Sequence, residues 1–380
     1  MRFVSNLFVG CVGLLLALGL VMLYSAGMKP GASAGQERFL VTQLIWCGVA
    51  FVPCAVAASM DYGKFRQWAW AFLAVSALLL MAVLVPAFSD RINGSRRWLD
   101  LGFGRFQPSE TAKFALVLAL AAYAARSEAE MKSFRKGLLI PALFISPILL
   151  LIYVEPDRGT TALLAVVSGV MLIIAGVRWL HLLPPAAAMI GGFAWLLLSD
   201  PMRRARILSW MDLEGSKQGV GFQGWQALVA LGSGGWTGRG LGNGRQKLGF
   251  IPEHQTDFIF SVIGEELGLI ATLAVILVFM LLLFCGLFIA WNARDQFGFV
   301  LGSGITFLIG LQAFINMGVV TGLLPNKGLP LPFISYGGSN LVVMMTCAGF
   351  LFSIARHAEP RADWDHGPEN IFSASPGVQT

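Results

Sequence analysis

The stretch DFIFSVIGEELGLIATLAVILVFMLLLFCGLFIAW, Asp257 to Trp291, places three carboxylates in its first ten residues and then no charge from Leu267 to its end. A helix that crosses a bilayer needs about 20 apolar residues, and this run exceeds that length. Working outward, nine further apolar runs occur, at approximately 7–27, 39–59, 68–88, 110–125, 137–154, 159–176, 179–198, 297–324 and 338–355. The chain of 380 residues is 56% hydrophobic and only 13% charged, against about 25% charged in a soluble protein. Mean hydropathy is +0.70, which excludes a soluble multidomain enzyme. The expectation is an all-α, polytopic integral membrane protein of about ten transmembrane helices over 1–356. A large extracytoplasmic loop, 199–256, separates helices 7 and 8, and a polar tail, 357–380, has no apolar period and reads as disordered and cytoplasmic.

Arg2 followed by the first apolar run imitates a signal peptide, but the run is long enough to span and reads as an uncleaved helix. Cys11, Cys47, Cys54, Cys285 and Cys347 all sit in apolar runs with no metal-ligand spacing, so they read as small hydrophobes. With both termini inside, Lys and Arg number 11 inside and 15 outside, against the positive-inside rule. The shortest loops, where the rule is strongest, give 8 inside and 4 outside and set the orientation.

The exception is informative. Two outward loops, 89–109 and 199–256, hold eleven cations against six carboxylates, +5 of the chain's +6. Arginine forks suit a phosphate or pyrophosphate, although a solvated loop surface accounts for the charge equally well. No run of five or more basic residues occurs, which argues against nucleic acid and for an anionic, membrane-borne ligand.

Ionisable groups at membrane depth are expensive and therefore few. Glu110 and Lys113 share a helix face at a spacing of three, and read as a structural ion pair with Ser109 as N-cap. Asp257, Glu265 and Glu266 sit near the mouth of one span and face a basic loop, as a catalytic or cation-binding group would. Capping by Asp257 and pairing of the two glutamates with neighbouring cations are the structural alternatives. The glycines of LGSGGWTGRGLGNGRQKLG, Leu231 to Gly249, would let backbone amides approach a phosphate, although no βαβ unit surrounds them. The stretch 221–231 is apolar but too short to span, and reads as an interfacial half-helix serving either as a lipid entry or as a lid. GLLPNKGLPLPFISYGGSN, Gly322 to Asn340, cannot be a regular helix, so its backbone must face protein or water.

NGSRRWLDLG from Asn93, QPSETAK from Gln107, EPDRGT from Glu155, GRGLGNGRQKLGFIPEHQTDFIFSVIGEELG from Gly238 and GLLPNKGLPLPFISYGGSN from Gly322 resemble the signatures of the SEDS family (shape, elongation, division and sporulation). The resemblance runs from the first span to about Arg356, and its wording is nearer the FtsW branch than RodA. It implies a ten-helix glycosyltransferase that polymerises lipid II into glycan strands on the outer face of the bacterial cytoplasmic membrane. Asp257 falls on the family's essential aspartate, a general base toward the acceptor hydroxyl, and undecaprenyl pyrophosphate leaves with inversion. Arg96, Arg97, Arg245 and Lys247 are the expected anion contacts. Glu253, His254, Lys327, Ser335, Tyr336 and Ser339 complete the expected substrate-binding set, and Glu110, Lys113, Glu265 and Glu266 support it. A divalent cation, Mg²⁺ or Mn²⁺, is a further expectation with no ligand set assigned.

Implied partners are lipid II, the nascent glycan strand, a class B penicillin-binding protein, other divisome proteins and membrane lipid. An elongation polymerase, a lipid II flippase and a division scaffold are the alternative readings. Two departures stand out: Arg158 replaces a usually apolar residue, and Asp212-Leu213 replaces an aspartate-proline pair.

Overall fold

The computed structural model describes residues 1–28, 38–86, 88–89, 96–100, 105–199, 201–217, 219, 221–249, 255–326 and 328–358. In chain order the helices are α1 (Arg2–Gly27), α2 (Arg38–Ser59), α3 (Ala69–Leu84), α4 (Pro108–Arg126), α5 (Ile140–Val154), α6 (Arg158–Ile174), α7 (Trp179–Ser199), α8 (Pro201–Met211), α9 (Phe222–Gly234), α10 (Ile259–Trp291), α11 (Gln296–Val320) and α12 (Gly338–Arg356). All except α8 and α9 occupy the ten expected spans. Seven segments among the described residues are long and apolar enough to cross a membrane, and α6 is a shorter apolar helix. Two paired two-residue strands, Leu99–Asp100 and Arg105–Phe106, are the extended structure among the described residues.

The bundle is layered around α4. Fifteen of its residues are buried, and alanine dominates that list because α3, α11, α6 and α12 all approach it closely. The outer layer is inverted in character: α2 exposes Ile45, Phe51 and Val52, as a lipid-facing helix should. A continuous buried cluster runs from Phe8 of α1 through Leu116 of α4 and Leu308 of α11 to Phe350 of α12.

Two expected helix starts shift. Gln107, not Ser109, is the N-cap of α4, because Pro108 at the first helical position needs no amide partner and extends the helix backward. Asp257 is likewise not a cap: α10 begins at Ile259, and residues 255–258 form a turn before it. The half-helix expected at 221–231 exists as α9, laid against α10 and α11. Residues 322–326 and 328–337 form irregular backbone whose Leu329, Leu331, Phe333 and Ile334 are buried, so it faces protein as required. Of the tail, only 357–358 lies within the described residues.

Helix α10 breaks at Gly268, whose φ of 80° and ψ of −173° lie in a region essentially reserved for glycine. The break lets residues 235–240 dock on it, with the Leu269 amide donating to the Gly235 carbonyl (2.9 Å) and the Gly240 amide to that of Glu266 (2.9 Å). A Cβ at Gly268 would collide with the backbone of Trp236 and Gly238. Gly268→Ala is therefore expected to destabilise the purified protein by about 2 kcal/mol or more, read as thermal unfolding in detergent. An unchanged midpoint would show that the docked loop does not depend on the break.

Candidate functional site

Four helix starts converge at one end of the bundle. The Gln107 amide donates to Ser339 Oγ (3.0 Å), joining α4 to α12, and Gln107 Nε2 donates to Asp157 Oδ2 (3.3 Å), joining α4 to α6. The Tyr336 amide donates to the Gln255 carbonyl (2.9 Å), bringing in the turn before α10. Ser335 ties that turn further: its hydroxyl donates to the Thr256 carbonyl (2.5 Å) and accepts from the Leu331 amide (2.7 Å).

Asp257 sits in this turn, half-buried, with its carboxylate against Gly328, where a Cβ would strike it. Asn316 of α11 holds both strands of the contact, donating through Nδ2 to the carbonyls of Asp257 (2.8 Å) and Leu329 (2.7 Å). One turn earlier, Gln312 Nε2 donates to the Pro330 carbonyl (2.8 Å) while its Oε1 accepts from Lys113 Nζ (2.7 Å). Lys113 is paired with Glu110 (2.7 Å), and Asn340 Nδ2 donates to Glu110 Oε2 (2.7 Å). The buried pair is thus satisfied on both sides and linked through Gln312 and Asn316 to the turn that carries Asp257.

A shelf of arginines flanks the same end. Arg97 donates through Nε to the Glu155 carbonyl (3.1 Å) and through Nη2 to that of Pro156 (2.5 Å), while Arg96 keeps a buried Nη1 without a partner. Glu155, in the turn between α5 and α6, is fully buried with both carboxylate oxygens unpartnered. Burial, then the charge of Asp157, push its carboxyl up to about 8 despite Arg97. Asp157 caps α6, accepting from the Thr160 amide (3.2 Å) and hydroxyl (3.0 Å). Leu329 lies over Gly159, so the shelf and the Asp257 turn share one wall.

The glycine loop corrects a reading. Its amides are not open to phosphate, because the two buried glutamates of α10 take them: Gly244 donates to Glu266 (3.2 Å), Arg245 and Gln246 to Glu265 (2.8 and 3.2 Å). Lys247, expected to contact substrate, is 1% exposed; its Nζ donates to Glu266 Oε1 (2.6 Å) and to the Ser25 carbonyl of α1 (2.8 Å). A buried carboxylate demands a cation and donors, and the loop supplies both. Ser25 Oγ also donates to Glu266. Arg245 stays exposed. Ser335 and Ser339 likewise serve the backbone, while Tyr336 packs edge-on against Phe39. Glu253, His254 and Lys327 lie outside the described residues.

Motifs separated by up to 232 residues therefore form one structural unit, in the order in which a single family carries them. A model of the cell cycle proteins FtsW, RodA and SpoVE matches residues 5–360. The chain belongs to this family. Stage V sporulation protein E of Bacillus subtilis is 38% identical over 348 residues, covering 91% of this chain and 95% of that one. A probable peptidoglycan glycosyltransferase FtsW of Trichlorobacter lovleyi is 39% identical over 344 residues, 90% of each. Among solved structures, a chain from work on the structural coordination of polymerization and crosslinking by a peptidoglycan synthase complex superposes with a TM-score of 0.73 at 28% identity, covering 92% and 96%. Rod shape determining protein RodA of Thermus thermophilus gives 0.68 at 28% identity, covering 93% and 97%.

Both departures from the family wording find local places. Arg158 stacks its guanidinium over Tyr153 (5.9 Å), and Asp212 accepts from the Gly215 amide (2.8 Å) in the turn after α8. No three His, Cys, Asp or Glu side chains converge among the described residues. Mg²⁺ characteristically takes one or two carboxylates and completes its shell with substrate phosphates, and Asp257 is a carboxylate suited to that arrangement.

Two outcomes follow from these contacts. Lys113→Met strands the buried Glu110 charge and is expected to cost about 3–5 kcal/mol in thermal unfolding, with the Glu110→Gln/Lys113→Met double variant recovering part of the loss. For Glu155, a folded value near 8 stands above the ordinary 4.5, so its contribution is intact below about pH 4.5 and is lost as pH rises toward about 8. Glu155→Gln is expected to flatten that decline in midpoints measured across this window; parallel curves for the two proteins would refute a titrating Glu155.

Proposed function

We propose that this protein is a peptidoglycan glycosyltransferase that polymerises lipid II into glycan strands at the outer face of the bacterial cytoplasmic membrane. The observation that carries the reading is the position of Asp257: a carboxylate at the mouth of the bundle, against Gly328 and with its backbone carbonyl held by Asn316, beside a shelf of arginines. The names of the similar FtsW proteins supply the reaction class.

Asp257 takes the proton of the acceptor sugar's 4-hydroxyl as that oxygen attacks C1 of the donor sugar. The new O–C1 bond forms as the bond from C1 to the pyrophosphate oxygen breaks, and undecaprenyl pyrophosphate leaves with the electron pair. A single displacement inverts the anomeric centre and needs no second carboxylate nucleophile. Arg96, with its unspent buried Nη1, and the exposed Arg245 are the cations suited to the departing anion. A divalent cation at Asp257 would supply further neutralisation of that charge.

The similarity to a chain of a peptidoglycan synthase complex supports a crosslinking partner, a class B penicillin-binding protein, within the division machinery. The relatives named FtsW favour a division role over elongation. A flippase needs a polar path through the bundle. The Glu110–Lys113 pair instead has each head group engaged by Gln312 or Asn340, which favours a fixed lattice over a route.

Asp257→Asn is expected to retain the wild-type unfolding midpoint and lose about 10²- to 10⁴-fold in rate when the purified protein, with and without its transpeptidase, is given lipid II and scored for glycan polymer. Polymer formation at the wild-type rate would exclude Asp257 as the base.

A further inference from the structure

The end of the bundle opposite Asp257 carries a pocket that the polymerase chemistry does not use. It has a volume of about 720 Å³ and is lined by Ala129, Glu130, Lys132, Ser133, Phe134, Arg135, Lys136, Arg178 and His181. The link after α4 and the link between α6 and α7 meet here, and Val177 packs against Gly137 to hold them together. Four of its residues are cations and one is an acid. Glu130 is spent on Lys136, and the head groups of Lys132, Arg135 and Arg178 make no hydrogen bond or ion pair among the described residues. His181 adds a buried Nδ1 without a partner.

The surroundings choose between ligands. Phe134 (49%), Trp179 (62%) and Leu180 (56%) are exposed immediately beside the cations. Aromatic and aliphatic side chains exposed at the end of a membrane helix lie at the level where acyl chains meet headgroups. A soluble anion would use the basic floor and leave this apolar flank unexplained, whereas a phospholipid uses both. The same four cations are half of the eight that set the orientation from the shortest loops, which places the pocket on the cytoplasmic leaflet.

We infer that this pocket is a binding site for the headgroup of an anionic phospholipid of the cytoplasmic leaflet. The phosphodiester sits among Lys132, Arg135 and Arg178 with His181 Nδ1 within the same floor, and the acyl chains run over Phe134, Trp179 and Leu180. The inference is independent of the reaction assigned to Asp257.

The test uses full-length protein in nanodiscs of phosphatidylcholine with or without phosphatidylglycerol, with retained lipid counted by native mass spectrometry. Arg135→Gln/Arg178→Gln is expected to lower retained phosphatidylglycerol at least fivefold, and Arg135→Lys/Arg178→Lys to keep most of it. Lys64→Gln/Arg66→Gln, which removes two cations at the same end outside the pocket, is expected to leave retention unchanged. All of these side chains lie at the protein surface, and matching unfolding midpoints in phosphatidylcholine establish that each variant is folded. Equal loss in the Lys64/Arg66 variant, or equal retention of phosphatidylcholine, overturns the site. Displacement of phosphatidylglycerol by millimolar inorganic phosphate alone overturns the lipid assignment.

Discussion

Irregular backbone at membrane depth is tolerated only when its polar groups are satisfied by protein, and the structure is arranged around meeting that demand at residues 328–337. Two amides on one face of α11, Gln312 and Asn316, take the carbonyls of Pro330 and Leu329, and Asn316 takes that of Asp257 as well. With those bonds in place the segment can turn inward, bury Leu331 and Ile334, and present Gly328 to the Asp257 carboxylate. The ion pair of α4 completes the arrangement by holding Gln312 from its other side.

The two polar nodes at this end follow different logic. Around Asp257, carbonyl oxygens are held by side-chain amides and hydroxyls: Asn316 takes that of Asp257 and Ser335 that of Thr256. Around Glu265 and Glu266, both carboxylates are surrounded by loop amides, with Lys247 paired to Glu266 and Arg239 3.9 Å from Glu265. The first arrangement fixes a backbone turn, and the second spends loop amides and a lysine on two buried carboxylates. That difference separates the surroundings of Asp257 from those of the two glutamates eight and nine residues on.

Much of this was legible beforehand. Ten apolar runs gave ten helices, since hydrophobic length is the dominant constraint in lipid and needs no partner to be read. The half-helix at α9 followed from a run too short to span. Less was legible where function depends on a partner distant in the chain. Lys247 looks like a phosphate ligand in a glycine loop until Ser25 and Glu266 close on it. Gln312 and Asn316 lie outside every motif, though two amides four residues apart in an apolar helix are a signal that the helix supports another backbone. Glu155 belongs to the EPDRGT motif, yet its burial under Arg97 depends on a contact across 58 residues that sequence alone does not bring together.

The tie between Ser25 and Glu266 spans 241 residues. At about 5–20 residues per second, Ser25 emerges roughly ten to fifty seconds before its partner. The first helix must therefore wait in the bilayer, with Ser25 at its C-terminal end lacking Glu266, until the eighth span arrives. Assembly of the glutamate node is a late event in biosynthesis, and any chain released before Glu266 would carry Ser25 without its partner.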